Sequence, residues 1–140
     1  MKIEDKLLLL TGCRRDKIGG LRWNEVDFNA RTITLPRERT KNGEAHVIPL
    51  SEMAMSILAG IARRDGYENV FGQTVAAGFS GWSSAKAEFD AQVKLADWVV
   101  HDLRRTVRTD IDKLGTLPHI CEAVLIICRQ AGPHLQSEHL

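Results

Sequence analysis

An α+β fold, mainly helical with one small antiparallel sheet, is predicted by three observations. Apolar residues recur at helical spacing through most of the chain. One interval, residues 32–50, switches instead to short β-branched segments on either side of a turn. Finally, 140 residues with 44% hydrophobic and 26% charged side chains are enough for one cored domain. That domain is expected over residues 1–128, followed by an aperiodic tail over residues 129–140 that Gly132-Pro133 interrupts.

Residues 3–11 read as the end of an apolar helix, with Gly12 as its natural stop. Ile18, Leu21 and Trp23 suggest a short second helix within residues 14–23, entered through a turn. Thr32 to Leu35 and His46 to Leu50 are then the two strands of a hairpin, with Lys41-Asn42-Gly43 near its tip. Ser51 is a credible N-cap for a helix over residues 52–64, where Met53, Ile57, Leu58 and Ile61 fall at helical spacing and Gly66 closes the segment. Residues 80–95 form another amphipathic stretch, with Trp82, Phe89 and Val93 on one side and Lys86 to Lys94 as a solvated face. A helix over residues 101–113 ends toward Gly115, and Pro118 suits the first turn of a last helix running through Glu122, Val124 and Leu125.

Composition excludes several functions. No apolar run approaches the length of a membrane span, and Glu4 and Asp5 stand where a secretory leader would be basic and then apolar. A cytoplasmic protein with no membrane partner is expected. Cys13, Cys121 and Cys128 include no Cys-x-x-Cys pair, so neither a closed disulfide framework nor a zinc knuckle is predicted. No residues show metal-ligand spacing of the His-x3-His kind, and no metal or other cofactor is expected.

The net charge of +1 hides an uneven distribution. Between Arg14 and Lys41 stand eight basic residues against four acidic ones, and a second basic knot, Arg104, Arg105 and Arg108, follows His101. Screening confines each patch to about 8 Å at physiological salt, so local clustering decides whether an anion is held. His101 and Arg104, three apart, share a helix face near an N-terminus, where backbone N–H groups also attract anions. Arg14 starts its helix after a tight turn, and Lys41 on a hairpin tip can reach a phosphate. Two arginines, a histidine and a lysine suit metal-free phosphoryl transfer. The guanidinium forks hold non-bridging oxygens, and His or Lys moves a proton at an ester oxygen.

Three stretches in order, residues 8–23 (LLLTGCRRDKIGGLRW), 40–51 (TKNGEAHVIPLS) and 101–106 (HDLRRT), resemble the catalytic domain of tyrosine recombinases, and most closely the phage and genomic-island integrases. The resemblance runs from Leu7 to about Leu125. It implies the DNA breaking-rejoining fold and site-specific recombination through a 3′-phosphotyrosine intermediate, without metal or high-energy cofactor. By position, Arg14 resembles the first catalytic arginine, Lys41 the hairpin lysine that protonates the leaving 5′-oxygen, and His101 with Arg104 the His-x-x-Arg pair. Arg15, Arg37, Arg39, Arg105 and Arg108 are the expected DNA contacts. The implied partners are double-stranded DNA in the bacterial nucleoid and other integrase protomers.

Three positions depart from the family pattern. Lys17 stands where an acid is usual, Ile126-Ile127 where Asn-His is usual, and no tyrosine follows Tyr67, the only one in the chain. A frameshift or early end after Leu125 would explain the loss of motif and periodicity, and the DNA-clamping domain that usually comes first is not seen. The expectation is therefore a phosphate-gripping domain without a nucleophile and without strand transfer of its own. Two other classes fit the residues: a non-catalytic DNA-binding module or gene remnant, and a metal-independent nuclease in which His101 activates water.

Overall fold

The computed structural model describes residues 1–120. Five helices and a three-stranded antiparallel sheet follow one another as α1 (Ile3–Thr11), α2 (Arg15–Gly19), β1 (Val26–Asp27), β2 (Thr32–Leu35), β3 (His46–Pro49), α3 (Glu52–Ala59), α4 (Trp82–Gln92) and α5 (His101–Lys113). The mainly helical α+β class holds. The helix expected from Pro118 through Leu125, the tail and two of the cysteines lie wholly or mostly outside the described residues.

Helix α1 carries Leu7 and Leu8 into the core and ends where Gly12 takes the left-handed conformation (φ 66°), donating its N–H to Leu8 O at 2.8 Å. Helix α2 is shorter than expected and buries Ile18 and Gly19. At Gly19 the main chain meets that of the loop before α4: Phe79 N donates to Gly19 O at 2.8 Å, and a Cβ on Gly19 would lie 2.6 Å from Phe79 O. Only a residue without a side chain permits this approach.

Strands β2 and β3 pair in the expected hairpin, with Ile33 opposite Ile48 and Leu35 opposite His46. Ile33, Leu35 and Ile48 point inward, while Thr34 and Val47 alternate outward. Pro49 is tolerated because β3 is an edge strand. Strand β1 was not expected. It pairs Val26 with Ile33, and Asp27 Oδ1 accepts from both Asn29 N and Ala30 N at 2.9 Å to turn the chain into β2.

Ser51 does cap α3, its Oγ accepting from Ala54 N at 3.2 Å. The helix stops at Ala59 rather than residue 64, because Gly60 N turns back to Ser56 O and Ile57 O. Ala54 and Leu58 are its buried residues, whereas Met53 is 64% exposed and leaves the predicted apolar face. The following loop is stitched to the segment after α2 through Trp23 N to Glu68 O (3.0 Å) and Val70 N to Leu21 O (2.8 Å). Tyr67 sits in that loop, half-buried, with the Arg64 guanidinium 3.8 Å from its ring centroid.

Lys86 corrects another expectation. Its ammonium pairs with Asp90 at 2.6 Å and lies 4.9 Å from the Trp98 ring, whose Nε1 donates to Asp90 Oδ1 at 2.7 Å. This side of α4 is thus covered by the segment leading into α5, and it is the Val93 side chain that is exposed. Helix α1 packs against α2, α3 and α5, so the ends of the described chain meet across one core. Among the described residues no helix is long and apolar enough to cross a membrane.

Candidate phosphate-binding site

The site begins with the turn after α1. Thr11 Oγ1 donates to Leu7 O at 2.7 Å and accepts from Cys13 N at 3.3 Å, so the chain leaves the helix in a fixed direction. Arg14 follows with extended backbone (φ −72°, ψ 145°) and opens α2. On the other side, the buried Val100 anchors the start of α5. Asp102 Oδ2 accepts Val99 N at 2.8 Å and Oδ1 accepts Arg105 Nη1 at 3.0 Å, which fixes this N-terminal turn. Packing of α5 on α1 then brings His101 and Arg104 to Arg14.

These three residues line one cavity of about 320 Å³, walled by Leu8, Cys13 and Val100 and edged by Arg15 and Asp16. Arg104 is 8% exposed, and Arg14 Nε is buried with no hydrogen-bond partner among the described residues. A buried guanidinium N–H left unmatched is costly, and an anion's oxygen satisfies it. Burial together with Arg104, Arg105 and Arg14 pulls the His101 imidazole below its ordinary pKa, against the opposing pull of Asp102. The imidazole is therefore neutral near pH 7 and able to accept a proton. Burial pushes the Cys13 thiol up, so it serves as wall and not as nucleophile.

The other predicted residues separate into two groups. Arg105 and Arg108 lie beside the cavity on α5, where a continuing groove is lined by Arg14, His101, Arg104, Arg105 and Arg108. Lys41, Arg37 and Arg39 are not among the residues lining either space. Lys41 is exposed on the hairpin tip, held by Thr40 Oγ1 to Glu44 O at 2.7 Å and by Gly43 at φ 69°. Arg37 is exposed on a short 3-10 turn, Arg37–Arg39, that precedes it.

Arg39 departs most from the reading as a DNA contact. Its guanidinium is committed to Glu25, a carboxylate whose side chain is only 4% exposed, and also reaches Lys17 O at 3.3 Å. Lys17 Nζ in turn donates to Arg39 O, and Glu25 accepts Arg22 N at 2.9 Å. Lys17, in the place of the usual acid, thus braces α2 against the hairpin arm. Sequence reasoning missed Glu25 and Lys17 as parts of this support. The only signal was an acid set close to the apolar Trp23 and Val26.

Comparison with known proteins identifies the family and the fold. The phage integrase family profile matches residues 3–120. Prophage integrase IntA of Escherichia coli (strain K12) is 31% identical over 122 residues, covering 84% of this chain and 29% of the relative. A shufflon-specific DNA recombinase of Escherichia coli is 32% identical over 111 residues, covering 79% of this chain and 27% of its own. The solved Tn1549 transposon integrase in complex with a circular intermediate DNA superposes with a TM-score of 0.69 at 19% identity, over 88% of this chain and 49% of the other. The chain therefore spans less than a third of the length of these two curated relatives.

Proposed function

The chain belongs to the phage integrase family, and from that premise we propose that it supplies the phosphate-holding part of a site-specific DNA recombinase. Its substrate is duplex DNA. One observation carries this reading: Arg14, at the start of the chain, and His101 and Arg104, nearly ninety residues later, line one cavity with an unmatched guanidinium N–H. Arg14 and Arg104 hold the non-bridging oxygens of a phosphodiester, where their fixed charge also matches the extra negative charge of a five-coordinate transition state. Neutral His101 moves a proton at an ester oxygen on the same phosphate. Lys41 protonates the leaving 5′-oxygen, which requires the hairpin tip to fold over bound DNA. Exposed Arg15 and Arg37 add general attraction to the backbone. Such a protein works at the bacterial nucleoid, beside further integrase protomers.

We propose in addition that these 140 residues alone grip the phosphate without forming a covalent bond to it. Tyr67 is the only tyrosine; it packs under Arg64 and is absent from the cavity lining. Loss of the nucleophile from a cooperating catalytic set removes many orders of magnitude in rate while binding groups keep their function. The test uses nicked suicide duplexes and a fluorescent duplex. Binding at about 10⁻⁴ to 10⁻⁶ M in physiological salt, weakened in Arg104→Gln and with no denaturation-resistant adduct, is the expected result. An adduct lost in Tyr67→Phe would overturn the non-covalent reading. Metal-independent nicks lost in His101→Ala would replace it with a nuclease, and affinity unchanged in Arg104→Gln would reject the phosphate site itself.

A further inference from the structure

The cavity continues past His101 and Arg104 into a groove of about 210 Å³, where Arg105 and Arg108 join the lining. Residues 101, 104 and 108 recur at three- and four-residue spacing, so α5 presents them in a row along one face. One helical turn, about 6 Å of axis, separates Arg104 from Arg108. A nucleic-acid strand rises roughly 3.4 Å along the duplex axis per phosphate and also turns about that axis, so neighbouring phosphates stand further apart than the rise alone, and two flexible arginines one helical turn apart can each reach one of them.

The two ends of this trough are electrically different. At the α2 end Arg15 is offset by Asp16, its Nε 3.8 Å from the carboxylate, and Asp16 itself lines the cavity. An acid at that mouth repels a second phosphate. At the α5 end Arg105 is partly occupied by Asp102. Arg108, by contrast, is exposed and makes no ion pair among the described residues.

We infer that Arg108 forms a second phosphate subsite, so that a polynucleotide strand with one phosphate between Arg14 and Arg104 lays its neighbour against Arg108 and runs along α5 rather than across α2. The inference rests on the phosphate-holding role proposed above and adds a direction to it. It also distinguishes ligands, since inorganic phosphate fills only the first position and a strand fills both.

Two measurements on the full chain test it: affinity for a fluorescent duplex as a function of salt, and inorganic phosphate binding by ³¹P NMR. Arg108→Gln should lower the slope of log K against log salt by about 0.9, the value for one lost phosphate contact, with inorganic phosphate binding unchanged. Arg15→Gln should change the slope by less than half as much. The Arg15 and Arg108 side chains are exposed, so their substitution preserves the fold, whereas Arg104 is buried and its variant is compared with the parent by circular dichroism and urea midpoint. An unchanged slope in Arg108→Gln, or equal losses in the Arg15 and Arg108 variants, would overturn the subsite in favour of a diffuse positive surface. Inorganic phosphate binding that survives Arg104→Gln would instead remove the first position, and with it both readings.

Discussion

Replacing Glu25 by Gln tests whether the brace behind Arg14 is built on charge. The Glu25 side chain is 4% exposed and its partner Arg39 18%, so the substitution leaves a guanidinium uncompensated in a largely dry environment. Breaking a buried pair from one side costs about 3–5 kcal/mol, because the remaining charge keeps its desolvation penalty. With a urea slope of about 2 kcal/mol/M, the unfolding midpoint should fall by roughly 1.5–2.5 M. The assay is urea titration followed by tryptophan fluorescence. Trp23 reports locally, two residues from Glu25 and under the Arg63 guanidinium at 4.6 Å. The double variant Glu25→Leu with Arg39→Leu removes both charges and should recover most of the loss, since well-packed apolar replacements of buried pairs are often neutral. A single Gln variant within about 0.5 kcal/mol of the parent, the range of an ordinary surface change, would refute a buried charge pair.

Two further outcomes follow from the site and the core. His101 should titrate below 6.5 in proton NMR, and its pKa should rise in Arg104→Gln and on addition of phosphate, because the lowering comes from burial and then from the neighbouring arginines. Its sign is fixed by linkage: a depressed histidine pKa contributes stability that is present above 6.5 and lost as the pH falls toward the folded-state value, so a midpoint at or above 6.5 would contradict the packing described. Gly19→Ala should destabilise by about 1–3 kcal/mol in the same urea assay, since its Cβ would press within 2.6 Å of Phe79 O; an unaffected midpoint would show that the loop yields freely.

Local signals were the readable ones. The Gly12 stop, the Ser51 cap, the β2–β3 hairpin and the α5 register depend on residues close in sequence, and each stands where periodicity and capping chemistry put it. The meeting of Arg14 with His101 and Arg104 was legible only through the ordered family motifs, because no spacing rule joins residues that far apart. Strand β1 escaped notice because two residues cannot alternate, and only pairing with Ile33 and Thr32 defines it. Arg39 and Lys86 were misread for a common reason. Both are charged residues that read as solvated, while Glu25 and Trp98, which cover them, arrive from elsewhere in the chain. Lys41 shows the converse: its place on the tip is local, but its distance from the cavity depends on the tilt of a twisted hairpin.

The meeting of α1 and α5 also makes the site a reporter of global order. Arg14 and Arg104 converge only once both flanks of the core have closed, so no partly folded segment of the chain can display the pair. Until an anion arrives, like charges crowd that seam and oppose its closure; once bound, the anion offsets part of that repulsion. Ligand at a hundredfold excess over its dissociation constant adds about 2.7 kcal/mol to the native state. That gain is distributed over the whole cooperative unit, so amide protons in α1 and α5 should slow together when a phosphate ligand fills the cavity. A bound phosphate then acts as a noncovalent clasp between the two flanks that α1 and α5 form, coupling persistence of the fold to occupancy of the cavity.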